Sequence, residues 1–540
     1  MDTNILYYGD NLEILRKYIP DESVDLVYLD PPFNSRATYN VLFKEQTGEL
    51  SQAQITAFED TWHWGLESER AMQEIFASTM ATPAVKDFMS VIPKFLGKKT
   101  DMAAYLTMMC VRLLELKRVL KDTGSIYLHC DPTASHYLKI LMDAIFGPQG
   151  FTNEIVWKRS DAHSDAKQGA KHYGRIHDII LLYSRGLTPV FNSIYTPLPQ
   201  STVDSWYRNV EPETGRFFNK ADVTGPGGAA KGNPHYEWKG VTRYWRYSRE
   251  NMEQLEAEGK LIYSKSGMVY EKRYLDDSKG VAVQDLWTDI QMLRGISEAG
   301  ERLGYPTQKP QPLLERIIQS SSNEGDIVLD QFCGCGTALV VAQKLNRKWI
   351  GIDITHLAIS TMKWRLEKMF PNIQYKVIGE PKDFESAKEL ANQNKYQFQW
   401  WAVSLVGGQP YGNRKKGADT GIDGYLYFMD EKNKVKKAII QVKAGGVSVS
   451  QIRDLVGVVQ REEAEMGVFI CLESATKPMQ IEADSQGFYR SPLGKDYPKV
   501  QIFTIEHLLE GKKPDIPPWI APIDTPPTAK KIEGKSVQMF

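Results

Sequence analysis

The chain has 540 residues, of which 42% are hydrophobic and 25% are charged, and its formal net charge at pH 7 is -1. This is ordinary globular composition for two to four domains, and it excludes a uniformly basic surface, so the cations for any nucleic-acid partner must gather on one face. The five cysteines show no zinc-ligand spacing or disulfide framework, and no apolar run of about 18 residues or signal peptide occurs. We therefore expect a cytoplasmic protein with no membrane span.

Strands and helices alternate in two parts of the chain. The apolar patterns predict strands at 5–8, 24–29, from 124, 327–329 and 349–352, and helices at 11–18, 103–120 and 337–345. Such alternation is typical of a parallel sheet covered by helices, and it predicts an α/β, Rossmann-like fold.

Composition shifts divide the chain into further segments. Residues 191–300 have poor periodicity and are rich in Gly, Pro, Trp, Tyr and basic residues. Residues 379–395 are charged and predict a linker or a helix, residues 396–511 return to an α/β pattern, and the tail at 512–540 is rich in Pro and Lys. The predicted first domain therefore comprises residues 1–190 and 301–378, interrupted by the irregular segment.

A glycine turn follows the strand at 327–329. Gly334 and Gly336 allow backbone angles and a close ligand approach that side chains would block. The helix after the turn offers unpaired N–H groups to an anion, such as the carboxylate of a methionine moiety. Asp353 ends the next strand, where a ribose would lie in a doubly wound nucleotide site. Together these features predict a nucleotide-like cofactor pocket.

A second signal, Asp30-Pro31-Pro32-Phe33, follows the strand at 24–29. Two prolines impose a stiff, extended backbone and leave the Pro31 carbonyl unclaimed. Asp30 and that carbonyl could accept both N–H bonds of an exocyclic amine and direct its lone pair at a methyl donor. Phe33 offers a stacking face for a base rotated out of a duplex. The segment therefore predicts catalysis by positioning and charge stabilisation.

These two motifs resemble those of the N6-adenine/N4-cytosine DNA methyltransferases, Asp-Pro-Pro-Tyr/Phe and Asp-x-Phe-x-Gly-x-Gly-Thr. Their order here is that of the β class, which includes the modification subunits of type III restriction systems, and the resemblance extends to about residue 370. It implies S-adenosylmethionine as cofactor and adenine N6 as target, because Asp opens the catalytic motif; cytosine N4 stays open. It assigns cofactor binding to Asp10, Thr307, Lys309, Pro310, Asp330, Phe332, Cys333, Gly334, Gly336, Thr337 and Asp353. Gln331 departs from the family pattern, in which proline is common.

In the β class, target recognition lies between the two motifs, as does the segment 191–300. Aromatic and basic residues interleave there: Trp206, Tyr207, Arg208, Trp238, Lys239, Arg243, Tyr244, Trp245, Arg246 and Tyr247. Such residues contact phosphates and base edges, or form a small aromatic core with solvated charges. The resemblance implies double-stranded DNA as the partner, with no individual base contact assigned.

The C-terminal pattern places Asp423 before a hairpin and Gln441 and Lys443 on one face of its second strand. It resembles the PD-(D/E)xK nucleases of the Mrr restriction type, with Glu389 as a candidate upstream acid. Asp423, Gln441 and the Val442 carbonyl would bind Mg²⁺, while Lys443 would activate water at a phosphodiester. Gln in place of Glu removes a metal charge, so cleavage would be weak or conditional. An amphipathic hairpin with Lys443 exposed is the alternative.

Three functions compete on this sequence. The leading hypothesis is a single-chain restriction-modification enzyme that combines methylation with Mg²⁺-dependent cleavage. The second is a methyltransferase whose C-terminal domain only binds DNA or a partner. The third is an RNA or small-molecule methyltransferase, whose catalytic motif would more often open with Asn. A homodimer and a restriction-system partner subunit are both open.

Overall fold

The fold comes from a computed structural model, which describes residues 2–32, 64–97, 100–161, 169, 171–293, 301, 308–410, 421–431, 434–492 and 494–517. Structural statements below refer to these residues. The chain divides into two compact units, one of residues 193–284 and one of the segments on both sides of it. Within the described ranges, no helix is both long and apolar enough to cross a membrane.

The larger unit begins with alternating strands and helices, as the sequence predicts. These elements are β1 (Ile5–Tyr8), α1 (Asn11–Tyr18), β2 (Val24–Leu29), α2 (Leu66–Ala77), α3 (Pro83–Phe95), α4 (Asp101–Val119), β3 (Leu120–Cys130), α5 (Ser135–Phe146), β4 (Phe151–Lys158) and β5 (His177–Ser184). Helix α4 is rich in Ala, Leu and Met, which favour helix, and it is buried along most of its length. It therefore forms the centre of the helical layer on one face of the sheet.

The smaller unit contains β6 (Tyr195–Thr196), α6 (Gln200–Trp206), β7 (Asn209–Val210), β8 (Phe217–Asp222), β9 (His235–Trp238), β10 (Val241–Tyr244), α7 (Arg249–Ala257), β11 (Leu261–Tyr263), β12 (Val269–Tyr274) and β13 (Val281–Ala282). Strands β11, β12, β8 and β7 form an antiparallel sheet. The prediction of an irregular segment is wrong here, because strands of two to six residues are too short to show a period. Trp238 and Trp245 are buried in this unit's core.

The larger unit resumes with β14 (Leu286–Trp287), α8 (Gln311–Ser320), β15 (Ile327–Asp330), α9 (Thr337–Lys344), β16 (Lys348–Asp353), α10 (His356–Met369) and β17 (Lys376–Ile378). Its sheet has the order β14-β4-β5-β3-β2-β15-β16-β1-β17 among the described strands, and only β5 pairs antiparallel to its neighbours there. Strand β15 thus inserts between β2 and β16. This places the carboxyl ends of four parallel strands from distant parts of the sequence at one edge, confirming the Rossmann-like α/β prediction.

The C-terminal part contains α11 (Phe384–Gln393), α12 (Lys395–Leu405), β18 (Gln409–Pro410), β19 (Gly424–Glu431), β20 (Lys434–Lys443), α13 (Val449–Arg461), β21 (Met466–Cys471), α14 (Lys477–Asp484), β22 (Phe488–Arg490), β23 (Asp496–Pro498), β24 (Val500–Thr504) and α15 (Ile505–Leu509). Strands β18, β19, β20, β21 and β24 form a mixed sheet, with β19 and β20 as an antiparallel hairpin. Of the two alternatives for residues 379–395, the structure shows a helix, α11, whose N-cap Asp383 forms a capping box with Ser386.

A polar junction joins the C-terminal part to the first sheet. The Gln397 side chain, on α12, accepts hydrogen bonds from the His356 backbone N–H at 3.1 Å and the Tyr8 hydroxyl at 3.5 Å. The Tyr8 ring stacks against the His356 ring with centroids 4.0 Å apart. Burial lowers the pKa of His356 to about 3, so this imidazole is neutral at physiological pH. Gln397 therefore caps α10 from a different part of the chain.

We expect Gln397→Ala to lower the free energy of unfolding by about 1–3 kcal/mol, because it leaves a buried backbone N–H without its acceptor. Urea denaturation of the full chain measures this. The matched control is Gln393→Ala on the preceding helix, α11, which removes an exposed side chain bonded to Glu389 of that helix and should cost under about 0.5 kcal/mol. Equal losses in the two variants would show that the cap contributes nothing.

Candidate active site

Four aspartates from the predicted motifs and strand ends lie at the carboxyl edge of the first sheet. Asp330 and Asp353 end β15 and β16, Asp30 directly follows β2, and Asp10 lies two residues beyond β1. A cavity at this edge brings together predicted residues from both motifs: Asp30, Lys309, Asp330, Phe332, Cys333, Gly334 and Thr337. Two segments nearly 300 residues apart in the sequence therefore form one site.

The glycine turn has the backbone that its sequence predicts. Gly334 and Gly336 have φ angles of 49° and 73°, in the left-handed region that favours glycine. A Cβ on Gly336 would lie 2.6 Å from the Met362 side chain. Helix α9 begins after Gly336 with no side-chain cap, so the N–H groups of its first turn are available to an anion.

Asp353 supports the turn from the neighbouring strand. Its Oδ2 accepts the Gly334 N–H at 2.9 Å, and its Oδ1 accepts the N–H and hydroxyl of Thr355 at 2.9 and 2.8 Å. Burial raises the pKa of this carboxyl to about 6, although these hydrogen bonds lower it. Asp353 is thus a fixed part of the turn, and its predicted contact with a ribose stays a prediction.

Asp10 is also held by its own chain. Its Oδ1 accepts the N–H groups of Leu12 and Glu13, which makes it the N-cap of α1. Its Oδ2 pairs with the buried Arg112 at 3.0 Å. These structural roles by themselves account for an acid at position 10. The predicted contact of Asp10 with the cofactor stays a prediction.

Asp330 is the most strongly perturbed acid in the cavity wall. It is 3% exposed, and its Oδ1 accepts the Phe332 N–H at 3.0 Å. Burial raises its pKa to about 8, with smaller contributions in the same direction from the charges of Asp30 and Asp353. The positive charge of Lys309 lowers the pKa of Asp330 and so partly offsets this increase. Asp330 therefore keeps its proton to a higher pH than an ordinary aspartate does.

We expect stability to fall as pH rises from about 4 to 8, because folded Asp330 keeps a proton that the unfolded chain has already released. The full change is on the order of a few kcal/mol. Asp330→Asn keeps the acceptor for Phe332 and should flatten this pH dependence, measured by urea denaturation at several pH values. Asp122→Asn, at an exposed carboxylate, should leave the slope unchanged; equal slopes for the wild type and Asp330→Asn would contradict the assignment.

Lys309 and the catalytic loop form an ion pair across the cavity. The Lys309 ammonium donates a hydrogen bond to Asp30 Oδ2, and both side chains are largely buried. Asp30 Oδ1 is buried with no hydrogen-bond partner in the described part of the chain. The predicted cofactor residue Lys309 thus contacts the predicted catalytic acid, and it leaves one oxygen of that acid available to a donor.

The predicted site prolines differ in burial and in local structure. Pro31 is buried, Pro32 is half-buried, and Pro310 is the N-cap residue of α8. Pro310 is itself buried, and its predicted role in cofactor binding stays a prediction. The predicted residues Phe33 and Thr307 lie outside the described residues.

Sequence analysis missed several residues of this site. Tyr28, Gln308 and Cys335 also line the cavity. The buried Arg365 donates from Nη1 to the Cys335 carbonyl and the Thr337 hydroxyl, both at 3.1 Å, and so supports the turn from α10. Tyr28 lies on the same strand as the catalytic motif and could have been inferred from alternation, whereas Arg365 has no local signal.

The smaller unit exposes part of the predicted recognition set. Arg243 and Tyr244 are exposed on the β9–β10 hairpin, and Trp206 is 59% exposed at the end of α6. Lys239 instead pairs with Glu256. Trp238 and Trp245 are buried in the core of this unit. Some of the predicted aromatic residues therefore form a small core, and others are exposed to solvent.

The C-terminal hairpin places Asp423 against the strand that carries Gln441 and Lys443. Asp423 is buried, its N–H donates to the Ile440 carbonyl at 2.9 Å, and its Oδ2 accepts the Val442 N–H at 2.7 Å. Gln441 is buried with Oε1 lacking a partner within the described ranges, and Lys443 is half-buried.

The predicted Mg²⁺ site is not supported at this hairpin. Among the described residues, no three His, Cys, Asp or Glu side chains are placed to hold a metal ion. Glu389 is exposed and bonded to Gln393. One carboxylate engaged with the backbone, beside an amide, provides little negative charge for a divalent cation.

Comparison with known proteins identifies the family. Residues 24–363, more than half of the chain, match a family model for N6/N4 methyltransferases described as DNA methylase. The chain belongs to this DNA methylase family. The resemblance inferred from the two motifs is thereby confirmed, although its finer type III-like assignment is not.

The relatives include a type II methyltransferase and a subunit of a type III restriction-modification enzyme. The type II methyltransferase M.EcaI of Enterobacter cloacae is 34% identical over 272 residues, covering 49% of this chain and 57% of the relative. The StyLTI Mod subunit of a type III restriction-modification enzyme from Salmonella typhimurium is 27% identical over 364 residues, covering 64% and 50%. The methylase therefore spans about half the length of these two relatives.

Two further matches concern structure and the C-terminal part. A putative DNA modification methylase from Thermus thermophilus, solved with S-adenosyl-L-methionine, is 16% identical with a TM-score of 0.33, and the match covers 70% of the methylase and 99% of that chain. Residues 395–510 match a model described as NACHT-associated inactive Restriction Endonuclease 1. The methylase thus carries a restriction-endonuclease-like domain, whereas its Mrr type stays a prediction.

Proposed function

We propose that this methylase transfers a methyl group from S-adenosylmethionine to the N6 amine of adenine in double-stranded DNA. The observation that carries the proposal is the unpartnered Oδ1 of Asp30 in the wall of the cavity formed by the glycine turn. The uncapped first turn of α9 fits the carboxylate of a methionine moiety. When bound, the cofactor supplies an electrophilic methyl group on sulfur.

The chain's own residues then orient the amine. Asp30 Oδ1 would accept one amine N–H, and the carbonyl of Pro31, the next residue, would accept the other. These two bonds draw the nitrogen toward tetrahedral geometry, so that its lone pair would be available to the methyl carbon. As the new carbon–nitrogen bond forms, the carbon–sulfur bond breaks and the sulfur leaves as a neutral thioether, and the nitrogen then loses one proton to solvent. Lys309 holds Asp30 Oδ2 and thus fixes which oxygen faces the amine. Adenine is favoured over cytosine only because Asp opens the catalytic motif.

The test is to incubate unmethylated plasmid DNA with the full chain and S-adenosylmethionine, digest the DNA, and identify the modified base by mass spectrometry. N6-methyladenine is expected. N4-methylcytosine alone would replace adenine with the cytosine alternative. No modified base in DNA, with methylation of RNA instead, would refute a DNA substrate.

We also propose that residues 395–510 bind DNA or a partner without cutting it, rather than acting as the nuclease of a single-chain restriction-modification enzyme. The engagement of Asp423 with Val442 and the amide at Gln441 support this view. Plasmid incubated with Mg²⁺ should stay intact, with and without S-adenosylmethionine. Breaks that disappear in Asp423→Ala and Lys443→Ala would restore the restriction-modification hypothesis.

A further inference from the structure

A chain of buried polar side chains extends from the cavity wall into the sheet. Tyr28, on β2, lines the cavity, and its hydroxyl lies 3.1 Å from Nδ1 of His129 on β3. Nε2 of His129 lies 3.3 Å from Oδ2 of Asp178 on β5. The three residues are 2%, 0% and 6% exposed. Three neighbouring strands therefore contribute one member each to a connected network shielded from solvent.

The direction of the hydrogen bonds follows from the charge at the far end. Burial alone would raise the pKa of Asp178, but the His129 hydrogen bond and the Arg159 guanidinium, 3.2 Å away, hold it below its usual value. The ionised Asp178 can only accept, so Nε2 of His129 carries the hydrogen. In the neutral imidazole, Nδ1 then accepts from the Tyr28 hydroxyl.

Packing fixes the orientation of the imidazole as well. The Trp157 ring meets the His129 ring edge-on with centroids 5.6 Å apart. The Trp157 indole N–H is itself anchored, donating to the Ile290 carbonyl at 2.9 Å. Asp178 and Trp157 thus hold His129 in one rotamer. His129 in turn fixes the position of the Tyr28 hydroxyl, on the side of Tyr28 that lies away from the cavity.

This network lies next to Asp30, so it can restrain the catalytic loop in addition to filling the core. Burying an ionised carboxylate and an imidazole in a sheet is costly, and apolar side chains would fill the same space with less penalty. Tyr28 precedes Asp30 by two residues, so both project from the carboxyl end of β2 toward the same cavity. Anchoring Tyr28 restrains the backbone that carries Asp30.

We propose that His129 and Asp178 are positioning residues for methyl transfer, which hold the Tyr28 hydroxyl and, through it, the strand end that aims Asp30 at the target amine. This inference rests on the proposed function of Asp30. Misplacement of a reacting group by about 1 Å lowers a rate by about a hundredfold, so a restraint of this kind acts on the chemical step and not on cofactor affinity.

The test is single-turnover methylation of unmethylated plasmid DNA by the full chain at saturating DNA and S-adenosylmethionine, with cofactor affinity measured by calorimetry. Tyr28→Phe and His129→Ala should each lower the rate constant by about tenfold or more and change cofactor affinity by less than about twofold. The double variant should be no slower than the slower single variant. His129→Asn keeps an acceptor near the Nδ1 position and should recover part of the rate.

Tyr183→Phe is the matched control, because it removes another buried tyrosine hydroxyl of the same sheet, one that donates to Asp143 at 2.7 Å. It should leave the rate unchanged. Wild-type rates in Tyr28→Phe, or an equal loss in Tyr183→Phe, would overturn the inference while Asp30→Ala stays inactive. A wild-type rate in Asp30→Ala would instead refute the proposed function.

Discussion

Asp30→Ala should reduce the methylation rate by about a hundredfold to a thousandfold or more, the range seen when one preorganised transition-state contact is removed. Asp30 offers the target amine a buried acceptor whose other oxygen is held by Lys309. Alanine leaves the amine with the Pro31 carbonyl alone. Single-turnover methylation at saturating cofactor measures this loss, while the dissociation constant for S-adenosylmethionine should stay close to that of the wild type.

Asp131→Ala provides a matched control for this loss. Asp131 also follows a strand of the first sheet and also precedes a proline, but its Oδ1 accepts the N–H groups of Thr133 and Ala134 at 3.1 Å. Removing it should cost about 1 kcal/mol of stability and leave the rate intact. An Asp30→Ala variant as active as Asp131→Ala would mean that another group holds the amine.

Asp353→Ala should damage both the fold and the cofactor site. The substitution strips the acceptors from the Gly334 N–H and from both donors of Thr355, each buried or partly buried group costing about 1–3 kcal/mol when left without a partner. The turn that carries Gly334 would then lose its fixed backbone. We expect at least about tenfold weaker binding of S-adenosylmethionine by calorimetry and a lower urea midpoint.

The isosteric variant Asp353→Asn separates the two effects. Its amide oxygen can still accept from Thr355, whereas its NH₂ group faces the Gly334 N–H and cannot accept from it. Stability should lie between that of the wild type and the alanine variant, and cofactor binding should remain weak. Unchanged affinity in both variants would place the cofactor's hydroxyls elsewhere.

The sequence predicted those parts of the site whose signals are local. A strand, two glycines and a helix are consecutive in residues 327–345, and the backbone follows directly from them. The sequence did not predict the Asp30–Lys309 ion pair, because the two residues are 279 positions apart. The motifs assign Asp30 to catalysis and Lys309 to cofactor binding. The cap that Gln397 provides for α10 has no periodic signal either.

The C-terminal hairpin shows the converse. The structure places Asp423 against the backbone of the strand that carries Gln441 and Lys443, where strand alternation puts these two side chains on one face. Nuclease activity also depends on the negative charge that surrounds a metal ion, and this charge is lower with an amide at Gln441 than with a carboxylate. The presence of the hairpin therefore does not establish that this domain cleaves DNA.

The smaller unit begins and ends at the same place. Its first strand, Tyr195–Thr196, pairs antiparallel with its last, Val281–Ala282, so the chain enters and leaves through two adjacent strands. Because of this pairing, residues 193–284 form one continuous segment that could be exchanged as a whole without altering the strand order of the large sheet. If this segment selects the DNA sequence, exchange of residues 193–284 as one segment would change the specificity and leave the rest of the chain unaltered.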